Sequence, residues 1–272
     1  MGSAAAAAGS RTRGSVASTE GYDLYFRSGV YERRYPAPNR STMRLVEQLV
    51  GNRAARVLDF GCGSGRYAIP LAMRRPVHIL AYDPCTTALA LLAERAERAG
   101  VATRIRAISG SLAELERVAD TEGRVDVALI LFGVLGHIRY REERLRHLRA
   151  VRAAMAPDGR LVVSVPNAAR RFWREQAAPA RESGLEPGDI FYDRQLDQTS
   201  IRLFYHLYRM GELEQELAEA GFRALSTRSE SILPEWMIAR GSLAAKVDAV
   251  LMAIAPVRLG YGFLTVAAPD GG

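Results

Sequence analysis

Apolar residues recur along this chain at two spacings. Short runs in which they are nearly continuous read as strands: Val57 to Phe60, Val77 to Tyr82, Thr103 to Ile108, Val125 to Leu131 and Arg160 to Val165. A strand buried on both faces needs such a run, and Val125-Asp126-Val127-Ala128-Leu129-Ile130-Leu131 is the fullest case. Between them, apolar residues fall three and four apart, the spacing of one helix face. Ser41 to Val50 carries Met43, Leu45, Val46, Leu49 and Val50, and Thr86 to Ala99 carries Leu89, Leu91, Leu92 and Ala96. Tyr67 to Met73 and Arg141 to Met155 follow the same rule, the latter with a stripe of Leu145, Leu148 and Val151. Its many charges (Arg141, Arg144, Arg146, Arg149 and Arg152 among Glu142 and Glu143) predict a solvated outer face. Asn39 can accept from the first free N–H groups of one helix, and Gly100 can close another in a left-handed turn.

The remaining segments lack that regularity. Residues 1–18 are rich in Ala, Gly and Ser and read as a disordered tail; a transit peptide is the other reading. Residues 19–50 open with an aromatic, basic stretch (Tyr22, Tyr25, Phe26, Tyr31, Arg33, Arg34, Tyr35), read as a helical lid or as helices packed on the domain edge. Residues 51–166 form the core. Residues 167–210 are longer than an ordinary connection and hold Asn167, Arg170, Arg171, Phe172, Trp173, Tyr192, Asp193, Tyr205, His206 and Tyr208, a composition that suits an acceptor lid. Residues 211–272 return to the core around a helical insertion, ending in a strand from Gly260 to Val266. Leu243, Val247, Val250, Leu251 and Ile254 line one face of the insertion's helix, for which packing on the core or pocket is expected ahead of a dimer face or membrane contact.

The chemistry concentrates where the first strand turns into a helix. Asp59-Phe60-Gly61-Cys62-Gly63-Ser64-Gly65-Arg66 places three glycines in alternation after an acidic residue. Such a turn brings backbone N–H groups and a helix start close to a ligand. Asp59 would repel a phosphate and suits a cationic or amine-bearing ligand. The D-x-G-x-G-x-G order resembles motif I of the class I S-adenosylmethionine (SAM) methyltransferases, rather than the G-x-G-x-x-G of dinucleotide sites. That resemblance implies a Rossmann-like α/β fold, a seven-stranded sheet with helices on both faces and an accessory lid. It also implies SAM as methyl donor, with S-adenosylhomocysteine (SAH) as product, and a loop (Asp59, Gly61, Cys62, Gly63, Gly65, Arg66) that backs the methionine and ribose parts.

At the end of the second strand Asp83, followed by Pro84, can accept from two ribose hydroxyls at once, or cap the next helix. Ser111 and Leu112 stand where the family carries an acidic residue for the adenine amino group, so that contact falls to a hydroxyl, to backbone or to Leu112 packing. Phe132 and His137 follow the fourth strand, whose end faces the ligand crevice. His137 is a candidate general base, with an ordinary pKa near working pH, or a structural histidine. Tyr22, Tyr31 and Arg34 are candidates for reaching the cofactor carboxylate or the acceptor. The segment Phe204 to Glu214, with Tyr205 and His206 as further catalytic candidates, is similar to one in the eukaryotic tRNA wobble-uridine carboxymethyl methyltransferases, as is Gly65-Arg66-Tyr67. The likeness fails after Phe222, where Ser231 to Trp236 opens an insertion.

Composition narrows the partners. The net charge of +7 on 272 residues comes from arginine, with Lys246 the only lysine, a bias of a GC-rich coding sequence more than of a nucleic-acid surface. Two cysteines, Cys62 and Cys85, form neither a metal set nor a disulfide framework, so no metal is expected and a cytoplasmic location is. No stretch reaches the ~20 apolar residues of a membrane span. The expected activity is methyl transfer to an oxygen, nitrogen or carboxylate of a small-molecule acceptor. A tRNA substrate and a non-catalytic SAM-binding subunit are the alternatives; monomer and homodimer both stay open.

Overall fold

In the computed structural model, residues 13–177, 184–197, 199–239 and 241–271 are described. Three helices precede the first strand: α1 (Arg13–Arg27), α2 (Val30–Arg34) and α3 (Arg40–Val50). The tail expected over residues 1–18 therefore gives way to helix at Arg13; the rest of that expectation lies outside the described residues. The Asn39 side chain caps α3, its Oδ1 accepting from Ser41 N–H at 2.9 Å and Thr42 N–H at 3.2 Å. Strand and helix then alternate: β1 (Ala55–Phe60), α4 (Ala68–Arg74), β2 (Val77–Tyr82), α5 (Thr86–Arg98), β3 (Ile105–Ile108), α6 (Leu112–Glu122), β4 (Val125–Ile130), α7 (Arg141–Ala154) and β5 (Met155–Pro166). After a short α8 (Trp173–Ala177) come β6 (Asp189–Gln195), β7 (Ser200–His206), α9 (Glu212–Glu219), β8 (Phe222–Ser231), α10 (Glu235–Ile238), α11 (Ser242–Ile254) and β9 (Gly262–Pro269).

Seven strands form one sheet in the order β3-β2-β1-β4-β5-β9-β8. The pairs from β3 to β5 are parallel, and β9 runs antiparallel between β5 and β8. Successive side chains on a strand point to opposite faces, which splits the core in two. Leu58, Phe60 and Leu80 meet α6, α7 and α9 through Leu115, Leu148 and Leu217. Val57, Ile79 and Leu129 meet α3, α4 and α5 through Val46, Leu71 and Leu92. This is the α/β Rossmann-like methyltransferase architecture that the motif implied.

Three parts differ from the sequence reading. The stretch read as a long acceptor loop contains an antiparallel hairpin, β6–β7, whose residues Ile190, Tyr192, Leu203 and Tyr205 pack with Tyr25 of α1. The solvated helix α7 buries Arg144 completely, between Glu216 at 2.8 Å and Glu186 at 3.1 Å. Spacing explains it, because Arg144 stands four residues before Leu148 and so shares the apolar stripe. Finally, α11 does not pack its apolar face inward. Leu243, Val250 and Ile254 are exposed, and the buried side chain is Asp248, whose Oδ1 accepts from Ile232 and Leu233 N–H at 2.8 Å. Among the described residues no helix is long and apolar enough to cross a membrane.

Candidate active site

The C-terminal ends of β1, β2, β4 and β5, with the turn after β3, open into a single cavity of about 1720 Å³. Pockets for one small ligand span roughly 300–1,000 Å³, so this one has room for two molecules.

One half is built on the glycine loop. Gly61, Gly63 and Gly65 all have positive φ, 74°, 52° and 84°, which glycine adopts without strain. Their crowding differs. A Cβ at Gly61 would meet Val134 at 2.5 Å, and one at Gly65 would strike Leu92 and Ile69 in the core. Gly63 N–H donates to Asp83 Oδ2 at 2.8 Å, and Cys85 N–H donates to Asp83 Oδ1 at 2.9 Å. Asp83 thus braces the loop and the start of α5, while each oxygen keeps a lone pair for a ligand hydroxyl. Burial lifts its carboxyl to about 6 against these two hydrogen bonds. Asp59 is pushed up to about 7, by burial first and by Asp83 second. Two buried acids facing one space favour a cation there. Pro84, Gly110, Ser111 and Leu112 complete this end.

The other half is aromatic. α1 lies over the hairpin, and Tyr22 donates its phenol proton to His137 Nε2 at 2.8 Å. The assignment follows from the other ring nitrogen, 3.0 Å from the Phe204 carbonyl, which can only accept. His137 stacks on Tyr205 at 4.2 Å, and burial drives its pKa down to about 3, with the charges of Arg171 and Arg194 adding to the shift. Phe132 has a φ of 62°, costly for a non-glycine residue. Its N–H is held by Ser164 Oγ at 2.7 Å, and its ring carries the Arg66 guanidinium 4.2 Å above it. Arg66 also donates to Ala37 O at 2.8 Å and pairs with Glu235 of α10 at 2.7 Å. Tyr25, Tyr31, Tyr35, Arg34, Arg171, Phe172, Tyr192, Arg194, Glu230, Trp236 and Tyr261 line the rest.

Residues 31–227 match the family described as "Methyltransferase domain". The chain belongs to that family. Release factor glutamine methyltransferase of Cereibacter sphaeroides is 41% identical over 69 residues, 25% of each protein. The chain spans about a quarter of the length of the curated relatives it matches. Solved structures that share the fold include two methyltransferases. The CcbJ methyltransferase of Streptomyces caelestis is 17% identical with a TM-score of 0.59, covering 86% of this chain and 91% of that one. The glycopeptide N-methyltransferase MtfA, complexed with SAM, is 14% identical with a TM-score of 0.53, covering 86% and 95%.

The cavity of this methyltransferase-domain family member offers a donor set that fits SAM: a carboxylate for ribose hydroxyls, two acids for a cationic centre, and small backbone turns beside them. Of the residues the sequence pointed to, Asp59, Gly61, Cys62, Gly63, Arg66, Asp83, Pro84, Ser111, Leu112, Phe132, Tyr22, Arg34, His137 and Tyr205 line the cavity. Gly65 does not; its restriction is packing against the core, not clearance for a ligand. His206 does not either. It is fully buried between Asp189 at 2.7 Å and Glu212 at 3.0 Å, and its hydrogen bonds hold the hairpin to α9. His137 reaches the cavity without the basicity expected of it, because burial and two arginines keep it neutral. Asn167 is spent on the Arg258 and Gly260 carbonyls, and Trp173 is 70% exposed.

The sequence reading missed Arg194, Glu230 and Tyr261. Arg194 had a signal, since Ile190, Tyr192 and Arg194 alternate on one face of β6. Glu230 reaches the cavity because β8 and β5 are both antiparallel to β9, so that β8 ends at the same edge of the sheet as β5, which no local pattern announces. Glu186, Asp189 and His206 lie close enough for a metal site. His206 there has a carboxylate on each nitrogen, so both nitrogens donate and neither is free as a ligand.

Proposed function

We propose that this protein is a SAM-dependent methyltransferase acting on an oxygen or nitrogen of a small molecule seated among the tyrosines of its cavity. The observation that carries the reading is the cavity itself: one continuous space, with a carboxylate-bearing, glycine-walled half and an aromatic half closed by α1. When bound, SAM supplies a methyl group on a sulfonium, activated enough that alignment and proton removal are the protein's main tasks.

Asp83 would hold the ribose hydroxyls, Ser111, Leu112 and the Gly110 backbone the adenine, and Asp59 the cationic portion. Tyr22 is fixed by His137, so its oxygen stays aimed by a neutral imidazole that takes no proton at working pH. The group with the basicity of a proton acceptor is Glu230. Burial, then the neighbouring Glu235, raise it to about 8, against the Ser164 hydroxyl, Arg66 and Arg171, which lower it. Its Oε1 has no hydrogen-bond partner among the described residues. A base of that pKa works best near neutral to mildly alkaline pH.

Transfer of labelled methyl from SAM into a small-molecule extract of the source cell, with total RNA as a parallel acceptor pool, tests the reading. Label in the extract is expected. Label in RNA alone moves the substrate to tRNA, and failure of the protein to bind SAH removes the methyltransferase reading altogether.

A further inference from the structure

Arg66, Arg171 and Arg194, among the guanidiniums that line the cavity, differ in how they are paired. Arg66 has its carboxylate, Glu235. Arg171 and Arg194 have none among the described residues. Arg171 lies 4.8 Å from the Tyr261 ring, 5.3 Å from Tyr205 and 5.3 Å from Phe172. One Nη is 3.5 Å from the Tyr205 hydroxyl, and its buried Nε has no partner. Arg194 lies 5.2 Å from the Tyr192 ring and 5.9 Å from Tyr25, and its buried Nε is also unpartnered. Tyr25 adds a buried hydroxyl with no partner. Ring faces attract a cation but do not neutralise it, and leaving two guanidiniums without counter-charge is costly in a partly desolvated space. Glu230 lines the same cavity; burial and Glu235 hold its carboxyl well above the usual carboxylate range, and Arg171 is among the charges that pull it down.

Resting on the methyltransferase reading, we propose that Arg171 and Arg194 are the anchor for an oxyanion on the acceptor, so that the substrate is a small aromatic or apolar molecule bearing a carboxylate or a phosphoryl group. SAM brings one carboxylate of its own, for which Arg66, with its unpartnered Nη1 directly after the glycine loop, and Arg34, which also lines the cavity, would be the partners. The two arginines from the insertion are left for the second molecule. Guanidinium forks match carboxylate and phosphoryl oxygens. An oxyanion held by two of them loses nucleophilicity, so it is the handle and not the methylated atom. The rings of Tyr192, Tyr205, Phe172 and Tyr261 around the cations bound the apolar body of the same molecule.

Calorimetric titration of SAH-saturated, full-length protein with benzoate, phenylphosphonate and neutral benzamide, at matched ionic strength, tests this. At least one anion is expected to bind about tenfold or more tightly than benzamide, and the tighter of the two names the oxyanion class. Arg171→Gln and Arg194→Gln are each expected to weaken that anion about tenfold or more, the range for a lost hydrogen bond to a charged group, with SAH affinity within about twofold of wild type. Equal binding of benzamide and both anions by the wild-type protein overturns the proposal, with no variant needed. So does a loss of SAH affinity of about tenfold in either folded variant, which would assign the arginines to the cofactor. Arg171→Lys and Arg194→Lys replace the glutamine variants if those fail to fold. Wild-type protein that does not bind SAH defeats the methyltransferase reading, a result distinct from SAH binding without anion preference.

Discussion

Asp59 and Asp83, which line the cavity, work against the fold. Both carboxyls are buried and titrate higher than in an unfolded chain, so each opposes folding once the pH rises above its unfolded value of about 3.9. Asp59→Asn keeps an acceptor for the Ala68 N–H and removes the charge. It is expected to stabilise the ligand-free protein at pH 8 by about 1–3 kcal/mol in urea unfolding, while weakening SAM roughly tenfold. For the same reason SAM affinity should rise between pH 5.5 and 7.5 as the two acids ionise, with proton release at the lower pH in calorimetry across buffers. Glu230→Gln should lower kcat about a hundredfold and leave SAH affinity unchanged. In wild type the rate should climb as pH passes through about 8, because the carboxyl must be ionised to accept a proton. Asp83 was visible in the sequence because its position at a strand end follows from the chain pattern alone. The role proposed for Glu230 was not visible, since its raised pKa comes from burial first and then from Glu235, and that burial is set by the fold rather than by any local pattern.

Among elements, the hairpin is held to the core by charge as much as by packing. His206 joins β7 to β6 and α9 through Asp189 and Glu212, and Arg144 joins α7 to α9 and the segment before β6 through Glu216 and Glu186. Burial alone would lower the His206 pKa, but the two carboxylates outweigh it and raise it. Its stabilising contribution is therefore complete below the unfolded value of about 6.5 and is lost as pH rises through the higher folded value. Urea titrations should show wild-type stability falling over that interval more than His206→Gln does. Glu216→Leu leaves a buried Arg144 with only the partly exposed Glu186, and about 3 kcal/mol of destabilisation is expected in the same assay. While α6 was not read as a helix, the strands β1 to β5 and helices α3, α4, α5 and α7 were legible because their periods are local. The Arg144 pairing was not, because Glu216 lies 72 residues further along the chain. The hairpin escaped because Phe191 and Tyr192 put aromatic rings on both of its faces, which blurs the two-residue alternation.

At the scale of the molecule, cavity, hairpin and α1 depend on contacts far apart in sequence. Tyr22 reaches His137 across 115 residues, and a Cβ added at Gly21 would come within 3.1 Å of Leu203. A ligand filling the space beneath α1 should hold it down, so saturating SAH is expected to slow proteolysis within residues 20–35 several-fold, as judged by mass spectrometry of limited digests. The strand order has a temporal consequence. On the ribosome, α1 emerges well before its seat on β7, and β8 emerges before β9, the strand that must slide between it and β5. Until residues 262–269 follow, β5 and β8 each present an unpaired edge of N–H and C=O groups, and such edges invite pairing with other chains. The chain is thus exposed to misassembly after most of its parallel sheet is built and until β9 has followed β8.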